Sequence, residues 1–249
     1  MDFKLRQSKI DYFEARTFLK DGGKYSSLPY LKSTDKSTVR AHKSAVVKQE
    51  ELFGTMWWPK DIDVIKRRNE QSKKAIKKGI NCAPYFGHLI IPHPSGGRPS
   101  MYAFMPRLNG IHMDDKQTLE ALLKLGQDGI EQYFDDYIRL RELGFYHEST
   151  IRENFKITDN AINMIDLNLM TAPQDRASVL MCAAYGLTNP LYSEPKLKKE
   201  LIGLTQNALT KFKGNHIALG HLDGTIENNY WFDENLEKAG FKTTQCITF

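Results

Sequence analysis

Apolar residues change their spacing along this chain, and the changes mark its elements. Positions 1–20 intersperse charges with Phe3, Leu5, Ile10, Tyr12, Phe13, Phe18 and Leu19, which predicts a short helix ahead of the first strand. Asp21-Gly22-Gly23 is a turn signal. Stretches 25–31 and 38–49 read as strands. The first is interrupted by Pro29, and the second ends in Ala45-Val46-Val47, an apolar β-branched run with Lys48 at its edge. Positions 61–78 read as a helix with Ile62, Ile65, Asn69 and Ile76 on one face and basic residues elsewhere, stopped by Gly79. Strands follow at 85–91 and 101–105, separated by the turn-rich Pro92-His93-Pro94-Ser95-Gly96-Gly97.

Beyond the linker Leu108-Asn109-Gly110 the period lengthens. Leu119, Leu122, Leu123, Ile130, Tyr133, Phe134, Tyr137, Ile138 and Leu140 give 118–143 a helical pattern, interrupted near Gly126 and Gly129. Short strands at 155–158 and 161–165 are joined by Asp159-Asn160, a hairpin-type turn. The remainder reads as helix and loop, and no internal repeat is seen. Strands with one helix, then a linker, then helices around a hairpin predict an α+β chain of two lobes, 1–107 and 108–249, with a cleft between them as the ligand site.

Composition adds limits. The chain has 249 residues and a formal net charge of +5, enough for a large core without covalent staples. Cys82, Cys182 and Cys246 are far apart and form no C-x-x-C pair, so neither a disulfide framework nor a zinc site is expected. Part of the positive charge sits in one run, Lys66-Arg67-Arg68 through Lys73-Lys74 and Lys77-Lys78. Its spacing fits a solvated helix face, and no aromatic residues interleave it as a single-strand stacking platform requires, so nucleic acid ranks last among partners. Met1-Asp2-Phe3-Lys4 opens no leader-like apolar run, and the weakly polar stretch 177–187 is too short to span a bilayer. The expectation is a chain without a membrane span, resident in a cytoplasm.

The sharpest chemical signal begins at Leu143-Gly144-Phe145-Tyr146-His147-Glu148-Ser149 and runs to Asn154. It is completed by Ile165-Asp166-Leu167-Asn168 at the end of the hairpin. Taken singly, Asn154 begins a strand and Asp166 caps a turn. Together, with the hairpin between them, they resemble the catalytic and metal-binding segments of the protein-kinase-like superfamily, where His-x-Asp precedes Asn and an apolar strand ends in Asp-Phe-Gly. Upstream, Ala45-Val46-Val47-Lys48 resembles the strand whose lysine holds the nucleotide phosphates, and Glu70 on the following helix is the candidate partner of that lysine. The stretch from Met101 through Met105-Pro106-Arg107 to Gly110 is similar to the strand and hinge that receive adenine, with backbone groups near Met105 and Arg107 bonding the base.

The resemblance spans residues 21–170 and departs from the family pattern in four places. Asp21-Gly22-Gly23-Lys24-Tyr25-Ser26-Ser27-Leu28 keeps only Gly23 of the glycine-rich loop. Ser149 stands where the family has its catalytic aspartate. The Asp166 triplet lacks phenylalanine and glycine. Only residues 171–249 remain for an activation segment and late helices, and Ala172-Pro173-Gln174 comes too soon to end one. A second candidate catalytic loop, His221-Leu222-Asp223 with Asn228, is rejected because no apolar strand ending in aspartate follows it at the right distance.

The resemblance implies a bilobal kinase-like fold with a small β-rich N-lobe and a reduced, mostly helical C-lobe. It implies ATP and Mg²⁺ as ligands: Gly23, Lys48, Glu70, Met105 and Arg107 on the nucleotide, and Asn154 and Asp166 on the metal. Lys48, Asp166, His147 and Ser149 are the candidate catalytic set. The implied activity is transfer of a phosphoryl or nucleotidyl group to a protein acceptor. The alternative is an inactive pseudokinase that binds a regulatory partner. The chain's economy is similar to that of short effector kinases that bacteria inject into host cells, which would place it in a host cytoplasm.

Overall fold

In the computed structural model the described residues are 2–34, 37–50, 58–92, 99–108, 115–146, 154–158, 160–165, 167–169 and 194–213, with positions 180, 183, 184, 187 and 188. The chain divides into two compact units, Met1–Gly79 with Ala83–Leu108, and Ile80–Cys82 with Asn109–Phe249.

The first unit opens with helix α1 (Asp2–Lys20), longer than the short helix expected. Tyr12, Ala15 and Leu19 recur at three- and four-residue spacing and form its buried face. The helix ends where the sequence places its glycines. Gly23 N–H donates to Phe18 O at 2.9 Å and Gly22 N–H to Leu19 O at 3.3 Å, with Gly22 at φ +89°. This double bond pattern satisfies the last helical carbonyls and calls for a left-handed residue at position 22. Nothing crowds a Cβ there, so Gly22→Ala should cost only its backbone strain, about 1 kcal/mol. Urea unfolding of the two proteins checks this, and an unchanged midpoint would remove the cap from the account.

The sheet comprises β1 (Tyr30–Thr34), β2 (Ser37–His42), β3 (Ala45–Glu50), β4 (Gly87–Ile91) and β5 (Ser100–Pro106). Its order is β1-β2-β3-β5-β4 and every pairing is antiparallel. Helix α2 (Trp58–Lys77) lies between β3 and β4 in the chain. Strand alternation sends Ala45 and Val47 of β3, with Tyr102 and Phe104 of β5, into a core with Tyr12, Ala15 and Leu19 of α1. The Tyr12 ring meets Phe104 edge-on at 5.1 Å.

The stretch 38–49 is two strands rather than the one expected. They fold back at Lys43 and Ser44, with Lys43 at φ 52°. No glycine, proline or asparagine marks this turn. Two carboxylates of α1 hold it. Asp11 accepts from the Ser44 N–H at 2.9 Å and from the Ser44 hydroxyl, and Glu14 accepts from Lys43 Nζ at 2.5 Å and lies 3.4 Å from His42 Nε2. These bonds keep both carboxyl pKa values below the ordinary range: for Asp11 they outweigh burial, and for Glu14 Lys43 is the largest cause.

The second unit is built on α3 (Asp115–Glu142), which breaks its helical dihedrals at Gly126 (φ 66°, ψ −166°), where the sequence pattern was interrupted. Leu119, Leu122, Ile130, Tyr133, Phe134 and Ile138 are buried along it. Strand β6 (Phe145–Tyr146) pairs with β9 (Asn168–Leu169), and β7 (Phe155–Thr158) forms the expected hairpin with β8 (Ala161–Met164). Helix α4 (Pro195–Lys213) packs along α3, where Lys211 binds Glu131. Cys82 forms a parallel bridge with Met164, and Asn81 O accepts the Met164 N–H at 3.1 Å. The short segment after α2 is thereby part of this unit. The α+β class is the expected one: a five-stranded antiparallel sheet plus helices.

Candidate functional site

Lys48 lies near the end of β3, with Ala103 of β5 and Val39 of β2 as its register partners. Because Ala45 and Val47 face α1, Lys48 and Val46 belong to the opposite face of the sheet. Ala103 and Met105, across from Lys48 and Val46 respectively, share that face and are buried. The face therefore combines an ammonium with an apolar strip whose member next to the lysine is a small alanine.

His88 of β4 continues the same row, since Ala103 pairs with both Lys48 and His88. Helix α2 meets the sheet at this histidine. Arg68 Nη2 lies 3.0 Å from His88 Nε2, and Asn69 Oδ1 lies 3.0 Å from His88 Nδ1. Arginine only donates, so Nε2 accepts and the ring proton sits on Nδ1, donated to Asn69. The Arg68 guanidinium also lies 4.3 Å over the Tyr85 ring, which stacks on His88. Burial, and then the Arg68 charge, lower the His88 pKa to about 3. The imidazole is thus neutral at ordinary pH.

This geometry corrects the expectation for Glu70. The inner row of α2 is Ile65, Arg68, Ser72 and Ala75, all buried, while Glu70 is exposed. Glu70 is two residues from both Arg68 and Ser72, about 200° around the helix. It therefore turns away from the sheet and is not brought to Lys48. The basic run hid this, because Arg68 reads as one more solvated cation. Its spacing of three from Ile65 and four to Ser72 was the available sign that it belongs inside.

Gly23 also has a different place. It caps α1 ahead of β1 and does not lie in the connection between β1 and β2. Residues 25–28 are tied to the sheet. The Tyr25 hydroxyl lies 2.5 Å from Thr38 O and 3.1 Å from Val47 O, and Arg40 Nη1 donates to Ser26 O at 3.0 Å and Leu28 O at 2.6 Å. Two of this segment's carbonyls are engaged by the Arg40 side chain of β2, which suits a brace better than an open phosphate cradle. Arg107 is corrected in part. Its backbone N–H donates to Ser44 O at 2.7 Å, which leaves its exposed side chain rather than that amide for a ligand. Met105 is a buried member of the β3–β5 ladder.

In the second unit only one member of the expected metal pair, Asn154, is among the described residues. The Ile165 N–H donates to Asn154 O at 2.7 Å, closing the neck of the β7–β8 hairpin. Tyr146 pairs with Asn168 in the β6–β9 ladder. The described neighbours of positions 147 and 166 are thus fixed by backbone bonds, while His147, Ser149 and Asp166 themselves lie outside the described residues. So do His221, Asp223 and Asn228. Among the described residues no group of three or more His, Cys, Asp and Glu side chains is placed to hold a metal ion, and no helix is long and apolar enough to cross a membrane.

The base of this unit is held by a buried carboxylate that the sequence did not single out. Asp136 of α3 accepts from the Asn81 N–H at 3.1 Å, Asn81 Nδ2 at 2.7 Å, Gln132 Nε2 at 3.1 Å and Arg139 Nη1 at 3.3 Å. Burial is the largest influence on its carboxyl and raises its pKa, against the pull of these donors.

No protein-family model matches this sequence, and no curated protein matches it. Among solved structures the chain is similar to the Legionella pneumophila Lpg2603 kinase bound to IP6, at 16% identity and a TM-score of 0.40, covering 70% of this chain and 60% of that one. It is also similar to WbdD, at 13% identity and a TM-score of 0.41, covering 73% of this chain and 46% of that one. The chain therefore spans less than two thirds of either neighbour's length.

Proposed function

We propose that this chain binds Mg-ATP and transfers a phosphoryl or nucleotidyl group to a protein acceptor. The observation that carries the reading is the Ile165–Asn154 hydrogen bond at the hairpin neck. It brings the Asn154 backbone beside that of Ile165, the residue before Asp166 in the chain, and this supports assigning the Asn154 amide oxygen and the Asp166 carboxylate as one ligand pair. Such a pair suits Mg²⁺, which takes hard oxygen ligands, keeps several waters and relies on substrate phosphates for the rest. Bound there, the ion would neutralise charge on the phosphates. Lys48 supplies a second positive charge, beside an apolar strip of Val46, Ala103 and Met105 able to receive a base. The acceptor hydroxyl lacks the aspartate that would orient it, since Ser149 cannot take its proton at neutral pH. Positioning and charge neutralisation then carry the transfer, and the missing acid–base help is worth about 10²–10⁴-fold. His147, Glu148 or a residue of the shortened C-terminal part would then substitute in part for the missing base.

The outward turn of Glu70 favours a second reading, a pseudokinase. Ser149 at the aspartate position and the lost glycines of the loop point the same way, while Lys48 can still hold phosphate. Nucleotide binding without transfer, coupled to a regulatory protein partner, fits that state.

Thermal unfolding with and without Mg-ATP tests the shared part. Nucleotide at 100 times its dissociation constant should stabilise the protein by about 2.7 kcal/mol. Lys48→Ala and Asp166→Ala should each remove most of this shift, whereas Glu70→Ala should leave it intact. Unchanged affinity in both Lys48→Ala and Asp166→Ala would refute the site. ATP labelled at the γ- or the α-phosphate then separates phosphoryl transfer, nucleotidyl transfer and no transfer.

A further inference from the structure

The outer face of α1 takes no part in the nucleotide reading. Arg6, Lys9, Phe13, Arg16 and Lys20 follow one another at alternating spacings of three and four, so they form a single stripe along the helix. Ile10 lies beside it. The stripe is turned away from Tyr12, Ala15 and Leu19, which pack on the sheet. Phe13 is 59% exposed and Ile10 49% exposed, on a helix already anchored by its other side.

The acidic side chains of the same stretch do not neutralise these cations. Asp11 is buried and bound to Gln7 and Ser44, and Glu14 is taken up by Lys43 and His42. The carboxylates are drawn to the β2–β3 turn, so four cations remain around a protruding aromatic ring. A phosphodiester backbone would use the cations and leave Phe13 idle. A bilayer surface uses both, because its headgroups supply anions and the boundary just below them accepts apolar rings.

We propose that this stripe of α1 docks the protein on an anionic lipid surface, with Phe13 and Ile10 entering the headgroup boundary and Arg6, Lys9, Arg16 and Lys20 pairing with lipid phosphates and carboxylates. The attachment is peripheral and reversible, and α1 remains packed on its sheet.

Co-sedimentation of the full chain with vesicles tests the proposal, using phosphatidylcholine alone and phosphatidylcholine mixed with phosphatidylserine. Binding is expected only to the mixed vesicles, and it should weaken as salt is raised. Phe13→Ser, and separately the double change Lys9→Glu with Lys20→Glu, should each weaken binding about tenfold. All three positions are exposed, and an unchanged far-UV spectrum and thermal midpoint confirm that the variants fold. Equal binding to both vesicle types, or none to either, overturns the proposal. So does an affinity for mixed vesicles that Phe13→Ser leaves unchanged, since the stripe would then be a general polyanion site. A dimer in sedimentation velocity that Phe13→Ser dissolves would assign the face to a second copy of the chain and overturn it as well. None of these outcomes depends on whether ATP binds.

Discussion

Asp136→Ala is expected to lower the stability of the second unit by about 3 kcal/mol, the upper end of the cost of leaving a buried donor without its acceptor. The carboxylate is fully buried and accepts from Asn81, Gln132 and Arg139. Alanine would leave those donors facing an apolar space. Asp136→Asn should be much milder, about 1 kcal/mol, because the amide keeps an acceptor oxygen of the same shape. The direction of the pKa shift makes the same point. A folded-state value above 3.8 means that burial penalises the charge more than the donors repay it. This group therefore favours the folded state most below its unfolded pKa, and the advantage is lost as pH rises through the folded value. What Asp136 contributes is a place to bond, more than a charge. Urea midpoints for the two variants decide it. Equal losses would show that the charge itself matters, and no loss in the alanine variant would show that the anchor is idle.

The second large effect concerns acid. His88 titrates at about 3 in the folded protein against 6.5 when unfolded. A histidine with a lowered folded pKa contributes stability that is complete above 6.5 and is lost as pH falls from 6.5 towards 3, because the unfolded chain takes up the proton first. Over that window the loss is roughly 4–5 kcal/mol. The physical reason is that both ring nitrogens are committed. Nδ1 donates to Asn69, and Nε2 must accept from Arg68, so a proton on Nε2 would set donor against donor and cation against cation. His88→Gln removes the titration while keeping one donor and one acceptor. Unfolding free energies measured from about pH 7 to about pH 4 should fall more steeply for the natural protein than for this variant. Parallel profiles would mean that His88 does not govern the acid limit. Asp11 and Glu14, whose folded values are lowered, act further down. Their contribution is present above the ordinary carboxylate pKa and is lost as pH falls through the lowered values.

The elements of the fold differ in how far the sequence announced them. The β7–β8 hairpin followed from two short apolar runs around Asp159-Asn160, and the interruption of α3 followed from Gly126. Both are local, since the residues that cause them are the residues that adopt them. The β2–β3 turn was missed because its cause lies elsewhere, in Asp11 and Glu14 of a helix that is distant along the chain. Glu70 was misplaced for a related reason. Several cations in one run obscured which of them faced inward, and the deciding contacts, His88 and Tyr85, come from after the helix. Gly23 matched a loop motif because helix caps and phosphate loops both call on glycine. Only the hydrogen bonds to Phe18 and Leu19 separate the two uses.

By itself, the sequence determined the α+β class, the helices, the hairpin and the order in which Lys48, Asn154 and Asp166 follow one another, because period, glycine placement and motif order are properties of neighbouring residues. Tertiary structure alone decided which side chains of α2 meet the sheet, that Arg107's amide is already bonded to Ser44, and that Asp136 holds Asn81. Those outcomes depend on burial and on partners brought from remote parts of the chain, where a buried donor or acceptor must find its match and the linear order of residues does not say which one it will be.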